Sequence, residues 1–422
     1  MIGVLGGYGA VGGTVARLLA GHGPRAGGRD AGHPDVRVGG RDGAAARRFV
    51  DAELGGHGEA WQVDALDAAE LARFCAGCQV VVNCAGPSYL LRDRVARAAF
   101  AAGADYVDAA GDVAAFARPT GASAGAGTGA GGGMGGRTAV LSAGMLPGLT
   151  GLVPRHLATL AQEAPIPNTR EAPTPNTREA PTPNTREAPT PNVREAPTPD
   201  PFPRSQPDEP GLRLDVYTGG LDRLTPAAAG DFLLAGQEER GAALAAWRDG
   251  ARVARALAPV HDVQLPYFPG PVTAYPYLSA EAERVAVELG LAQARWYNVI
   301  TGDGVLAAAS TAGQAADLTR AAELELAGRT PYYVLLFQLS GPHGTRTLAL
   351  RTHDSYALTA AVAAHAAMAV LRGDVAAGLH HADAVLDPAR VLADLEPVAK
   401  IELTDTVAPI DLVAPVFEEG AL

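Results

Sequence analysis

Lysine is almost missing from this 422-residue chain: Lys400 is the single example, although lysine and arginine together number 34. That scarcity excludes oxidoreductases built on a Tyr-x-x-x-Lys pair, because Glu396 stands where the tyrosine would be, and it disfavours reductases that use a Glu-Lys-Pro lysine. Cysteine is nearly as rare. Cys75, Cys78 and Cys84 are too few for a disulfide framework. Cys75-x-x-Cys78 has no second ligand pair for a zinc site, and it follows Leu71 and Phe74 at a helix end, where the dipole disfavours a thiolate. Both are therefore expected as buried small hydrophobes, with no metal and no zinc alcohol dehydrogenase chemistry. An excess of positive charge is also lacking: the net charge of −12 argues against a nucleic-acid surface. No run approaches 18 consecutive apolar residues, and the N-terminus enters a strand without a basic leader, so no membrane partner and a cytoplasmic location are expected.

The most informative feature present is Gly7-Tyr8-Gly9-Ala10-Val11-Gly12, a G-x-G-x-x-G turn directly behind the apolar run Met1 to Leu5. Glycines there let the backbone approach a pyrophosphate, and the following helix aims unpaired N–H groups and its positive dipole end at it. Val11, Val15, Leu18 and Leu19 form one apolar stripe on that helix before Gly21 and Gly23 stop it. In a chain with 51 glycines the pattern alone is weak, and its strand–turn–helix context is what strengthens it.

With 47% hydrophobic residues the chain has material for two ordinary domains. Strands are predicted at 2–5, 36–40, 60–64, 79–84, 105–108 and 138–142, with helices over 44–54, 68–75 and 91–102 between them. This alternation predicts an α/β fold: an N-terminal Rossmann doubly wound parallel sheet over 1–150. Glycine-rich 121–136 reads as a surface loop. Residues 163–202 repeat an eight-residue unit, Glu-Ala-Pro-Ile-Pro-Asn-Thr-Arg and its variants, whose two prolines forbid helix and ladder pairing. A disordered proline-rich insertion is expected over 163–210, either a docking tract or a tolerated expansion in an exposed loop. Strands at 212–221, 295–301, 332–340 and 346–352, with helices over 226–233, 279–289 and 305–327, predict a second α+β domain with a mixed or antiparallel sheet over 211–355. It is assigned to substrate or dimerisation. Residues 356–422, opening with an alanine-rich helix to Arg372, are expected to pack back on the first domain.

An NAD site ends its second strand in an acid for the ribose diol, whereas an NADP site places a cation there. Here the strand leaves through Gly39-Gly40 onto Arg41, whose guanidinium can pair with a 2′-phosphate, so NADP(H) is preferred over NAD(H). The competing reading makes Asp42 the diol acceptor and Arg41 a solvated group. Asp64, ending the third strand, is expected near the adenine edge. Ala85, Gly86 and Pro87, ending the fourth, are expected along the ribose and pyrophosphate.

The run Gly6 to Gly12, the Gly40-Arg41 exit, Val82-Asn83-Cys84-Ala85-Gly86-Pro87, Asp105-Tyr106-Val107-Asp108 and Gly144-Met145-Leu146-Pro147-Gly148 occur in this order. Together they resemble the saccharopine dehydrogenase-like (saccharopine reductase) family over about residues 1–155. The resemblance implies an NADP-binding domain followed by a substrate domain, and hydride transfer at a C–N bond joining an amino acid to a keto acid. Leu146 replaces the acid that saccharopine enzymes commonly carry before Pro-Gly, a departure that bears on the substrate.

For a C=N substrate, an iminium carbon takes hydride without prior proton donation, which suits a site without lysine. Arg92 and Arg155 are candidate clamps for substrate carboxylates. Asp108 and Asp112 are candidates for binding an amine or holding a proton donor, with helix capping as the alternative for Asp112. Tyr89, Tyr217 and His353 are the candidate acids, so Tyr89, Asp112 and Tyr217 head the catalytic set. Two rival readings are reduction of an enoyl C=C bond on a carrier or thioester, which needs a proton donor, and a non-catalytic NADP-binding sensor. The expected partner is a small-molecule substrate, and a homodimer is compatible with the chain.

Overall fold

Each short apolar run read as an N-terminal strand pairs with its neighbours in parallel register. The computed structural model describes residues 1–21, 33–111, 136–163, 211–234, 241–310, 314–342 and 344–406. The eight-residue repeat and Asp112 lie outside the described residues.

The chain opens with β1 (Ile2–Leu5), α1 (Gly12–Leu19), β2 (Val36–Gly40), α2 (Gly43–Glu53), β3 (Glu59–Gln62), α3 (Ala68–Cys75) and β4 (Val80–Asn83). There follow α4 (Ser88–Leu91), α5 (Arg94–Ala101), β5 (Asp105–Asp108), β6 (Thr138–Leu141) and α6 (Leu149–Glu163). The next stretch holds β7 (Arg213–Leu221), α7 (Pro226–Leu234), β8 (Gly241–Ala243), β9 (Ala246–Arg248), β10 (Ala251–Val253), β11 (Val260–Val263), β12 (Val272–Ser279) and α8 (Ala280–Glu288). It continues through β13 (Gln293–Ile300), α9 (Asp303–Ser310), α10 (Ala315–Leu326), β14 (Tyr332–Gly341) and β15 (Gly344–Thr352). Last come α11 (Ser355–Arg372), β16 (Gly378–His381), α12 (Ala382–Val385), α13 (Pro388–Leu395) and β17 (Lys400–Thr406).

The first sheet is parallel throughout, in the order β16-β6-β5-β4-β1-β2-β3, a Rossmann arrangement whose strand order reverses beside β1. Its β-branched strands are buried on both faces, as a sheet covered by helices requires. The second sheet is mixed, running β10-β9-β13-β7-β14-β15-β17, with β12 joined to β13, β11 and β8. Here β13 pairs parallel to β7, and β14 and β15 form an antiparallel hairpin.

One continuous apolar core spans both sheets. It takes Ile2, Val4 and Val38 from the first, Leu335, Phe337 and Leu348 from the second, and Leu152 and Leu358 from α6 and α11 between them. Helix α11 packs on α1, β4 and β5, while α6 touches α8, β14 and β15. By length and hydropathy α11 could cross a membrane, yet most of it is buried inside the protein. Burying its Leu358 and Val362 contributes about 1.5–3 kcal/mol each.

Two helices expected as continuous are divided. The 91–102 segment breaks at Arg92, whose φ of 50° and ψ of −133° stop α4 before α5 begins. The 305–327 segment forms α9 and then α10, which opens on a capping box between Gln314 and Asp317. Helix α6 escaped the sequence reading because Pro154 lies inside it and Gly148 and Gly151 flank its start. Strands β8 to β11 have only three or four residues each, and β16 and β17 lie in a polar tail, so neither set carries a strong alternation, while β12 alternates in burial along eight residues but carries Pro276 inside it.

Asp354 caps α11, accepting from the amides of Tyr356 and Ala357 at 3.0 and 3.3 Å. Asp354→Ala is expected to lower unfolding free energy by about 1 kcal/mol in urea titrations, without changing the far-UV spectrum.

Candidate functional site

The turn between β1 and α1 is tight because it lacks side chains. A Cβ on Gly12 would lie 2.3 Å from the Gly6 carbonyl oxygen, and one on Gly7 would lie 2.6 Å from that of Val4. Gly9 and Ala10 face solvent at the carboxyl end of the sheet. Val11 caps α1 without any side-chain hydrogen bond, and no acid stands in the first turn. The Gly13 amide donates to the Gly9 carbonyl at 2.9 Å, but no side chain closes the start of α1, which stays open to an anion, whereas α2, α3, α11 and α13 are each capped by an aspartate. This cradle, made by Gly7, Tyr8, Gly9, Ala10, Val11 and Gly12, fits a dinucleotide pyrophosphate.

The tip of β2 is built around Tyr8. Its phenol oxygen accepts the Asp42 amide at 2.9 Å, and a Cβ on Gly40 would lie 2.5 Å from its ring. Arg41 projects from this tip, exposed. Asp42 is engaged as the cap of α2, accepting from the Ala45 amide at 2.9 Å, and Arg48 stands 3.8 Å from its other oxygen. Asp64, at the β3 exit, is exposed and accepts the Leu66 amide at 2.9 Å in a local turn.

The exit of β4 abuts the glycine turn. At Gly6, where φ is +74°, a Cβ would lie 2.9 Å from the Ala85 nitrogen, so Ala85, Gly86 and Pro87 run beside the cradle. Helix α7 closes over them: a Cβ on Gly86 would be 3.0 Å from that of Ala227, and Ser88 Oγ donates to Asp231 at 2.9 Å. Tyr89 stands in α4, but its side chain lies outside the described residues. Arg92 is exposed at the end of that helix in the left-handed half of φ space, a strained conformation for a residue with a side chain.

The structure moves three predicted residues away from chemistry. Tyr217 is fully buried in the second sheet, stacked on Tyr297 with centroids 5.0 Å apart, and burial followed by the Asp215 charge drives its pKa far up. It has no route to a substrate. Arg155 is bound to Asp383 at 3.0 Å and to Glu288, holding α6 to α12 and α8. Asp108 accepts from the Tyr106 hydroxyl at 2.5 Å, from Asn83 at 3.2 Å and from the Ala110 and Gly111 amides at 3.0 and 2.6 Å, which fastens the loop after β5. His353 is exposed at the end of β15, where its ring donates to the Pro331 carbonyl at 2.7 Å.

Cys75 and Cys78 are buried under β1 and β2. Burial, then the neighbouring Cys78, pushes Cys75 up to about 12, so both behave as apolar filling. Among the described residues no group of three His, Cys, Asp or Glu side chains could hold a metal ion.

Two groupings escaped the sequence reading. Ser142, at φ +56° on the β6 tip, places its Oγ 3.2 Å from Nδ1 of His381 on the β16 tip. Glu281 lies half-buried against the Gly144–Gly148 loop, accepting the Gly148 amide at 2.8 Å and the Thr150 hydroxyl. Beside it Asp383 takes both Arg284 nitrogens at 2.9 and 2.8 Å. Members of these groups are up to 239 residues apart, so no spacing signal joined them.

Burial, then the Asp383 charge, raises Glu281 to about 7, with Thr150, Arg284 and the Gly148 amide opposing. Burial also acts to raise Asp383, but Arg284 and Arg155 outweigh it and hold that carboxyl below its usual range.

The N-terminal residues 2–125 match the family model described as the saccharopine dehydrogenase NADP binding domain. Among solved structures, apo saccharopine dehydrogenase (L-Glu forming) from Saccharomyces cerevisiae is 14% identical, covering 96% of this chain and 99% of that one at a TM-score of 0.56. This likeness extends the shared fold across both sheets. Triphenylmethane reductase of Citrobacter sp. with NADP(H) is 24% identical over 25% of this chain and 36% of that one, at a TM-score of 0.21. An NADPH-dependent quinone oxidoreductase from Escherichia coli is 22% identical over 26% and 34%, at 0.20. No curated protein matches the chain by sequence.

Two outcomes test this geometry. A Cβ on exposed Gly9 would meet the Gly6 carbonyl oxygen at 3.2 Å and nothing else within 4 Å, so Gly9→Val is expected to weaken NADPH by at least roughly tenfold in calorimetry with only a small loss of thermal stability. Unfolded Glu281 loses its proton near 4.5 and the folded group near 7, so the unfolded state binds fewer protons between them and stability falls as pH rises through that window. Glu281→Gln is therefore expected to gain stability over the parent from pH 5 to pH 8 in paired urea titrations.

Proposed function

We propose, from the match of residues 2–125 to the saccharopine dehydrogenase NADP binding domain, that the chain is an NADP-dependent oxidoreductase transferring hydride to or from a C=N bond. The observation that carries the reading is the tight glycine turn opening α1 without a side-chain cap, with Arg41 at the neighbouring strand tip. The nicotinamide supplies the hydride when bound. The chain's own residues do the positioning.

The preference for NADP(H) rests on how the two candidates at the β2 tip are occupied. Asp42 gives one oxygen to the start of α2, so a ribose diol would compete with a helix cap. Arg41 is exposed and able to meet a 2′-phosphate with two parallel N–H donors.

The C=N reading follows from what surrounds the β4 to β6 tips. An iminium carbon is already electron-poor, so orientation and exclusion of water suffice. Helix α7 over Gly86 supplies the cover. Arg92, strained and exposed just beyond, is the carboxylate clamp in this reading, with Arg155 withdrawn into its ion pairs.

Arg41→Ala is expected to weaken NADPH about tenfold to a hundredfold while leaving NADH nearly unchanged in calorimetric titrations, and equal losses would refute the phosphate assignment. Following NADPH absorbance with imine-forming mixtures of amines and keto acids is expected to show turnover. Turnover with enoyl thioesters alone would replace this reading with C=C reduction, and binding without turnover in either panel would favour a sensor.

A further inference from the structure

We propose that the second sheet carries its own site for an amphipathic carboxylate, with the head group at Arg351 and Lys400 and the apolar body between Tyr267 and Tyr332. The site goes beyond the hydride-transfer reading and does not rest on it.

A cavity of about 1430 Å³ opens at the end of this sheet where β7, β14 and β15 meet the start of β17. The ladder aligns its floor. Val334, Arg351 and Lys400, which line it, are successive register partners across β14, β15 and β17, so they share one face. In the adjoining position on β7 and β14, Leu221 pairs with Tyr332.

Charge at the head end is unbalanced. Arg351 and Lys400 share one carboxylate, Glu402, at 2.9 and 2.6 Å. Arg329 adds a further cation at the mouth and Glu396 one acid, in a chain that is acidic as a whole. A second carboxylate beside Arg351 and Lys400 would complete the pairing.

The wall is held under strain. Tyr267 has φ +70°, a conformation a bulky residue adopts only when its surroundings impose it, and the Arg351 guanidinium lies 5.5 Å above its ring. A strained aromatic, a cation fixed on its face and an apolar floor in one cavity are the parts of a ligand pocket.

Lys400 makes the test direct, because it and the α-amino group are the chain's only ordinary amines. Full-length protein is acetylated with N-hydroxysuccinimidyl acetate with and without decanoate below its micellar range, and the Lys400 peptide is followed by mass spectrometry. Decanoate is expected to slow Lys400 acetylation by at least about threefold and leave the α-amino group unaffected, with butyrate at the same concentration ineffective. Arg351→Gln should abolish the protection and Arg329→Ala reduce it, with NADPH binding unchanged as the check on folding. Unchanged acetylation in decanoate, equal protection by butyrate, or full protection in folded Arg351→Gln would each overturn the proposal.

Discussion

The close approach of backbone to backbone between β1 and α1 is the constraint on which the cofactor region depends. Gly6, Gly7 and Gly12 occupy positions where a Cβ would meet a main-chain atom at 2.9 Å or less. Because the chain turns without bulk, α1 starts directly at the sheet edge with no side chain capping it. The same tightness brings the β4 exit against Gly6, which gathers Ala85 to Pro87 beside the cradle. Geometry and charge therefore arise together: the turn that lets the helix start there also leaves its N-terminus free of a side-chain cap and open to an anion.

The two sheets are joined by helices from both ends of the chain. Helix α6 leaves the β6 tip and lies against β14 and β15, while α11 leaves β15 and lies against α1, β4 and β5. Polar contacts lock this exchange at two places. Asp222 accepts the Ser355 amide at 2.9 Å beside the Tyr356 hydroxyl, which accepts the Thr225 amide at 2.9 Å. The second lock is the Glu281, Asp383, Arg155, Arg284 and Glu288 group. Its three carboxylates face two guanidinium groups, and the member with a raised pKa is the one accepting from neutral donors, Thr150 and the Gly148 amide. One retained proton brings the group closer to balance.

The first sheet was largely legible because its signals are local. β1, β2 and β5 are continuous β-rich runs, and α3 shows its apolar stripe through Leu71, Phe74 and Cys75. The glycine turn and Arg41 were legible for the same reason, since both follow from one strand and what succeeds it. What stayed hidden depends on distant pairing. β16 reads as four half-buried residues, Gly-Leu-His-His, and becomes a strand only because β6 offers an edge. Tyr217 read as a candidate acid by residue type alone, and only the pairing of β7 between β13 and β14 shows it enclosed against Tyr297. Arg155 likewise seemed near the strand tips in sequence, while its partners come from 133 and 228 residues away.

Asp42 shows how one hydrogen bond separates two chemistries that look equal in sequence. Arg41 and Asp42 are adjacent at the β2 exit, and either residue type could read the adenosine ribose. The carboxylate is drawn toward the α2 amides, since that helix begins at Gly43 and has no other side-chain cap. Its backbone amide is held as well, by the Tyr8 hydroxyl reaching across Gly40. A diol would find only Oδ2, which Arg48 approaches at 3.8 Å, and could take the second oxygen only by displacing the cap at a cost of about 1 kcal/mol. A phosphate meeting Arg41 disturbs neither contact. The proposed selectivity of the tip rests on how α2 starts, and the absent side chain at Gly40 is what lets Tyr8 fix that start in place.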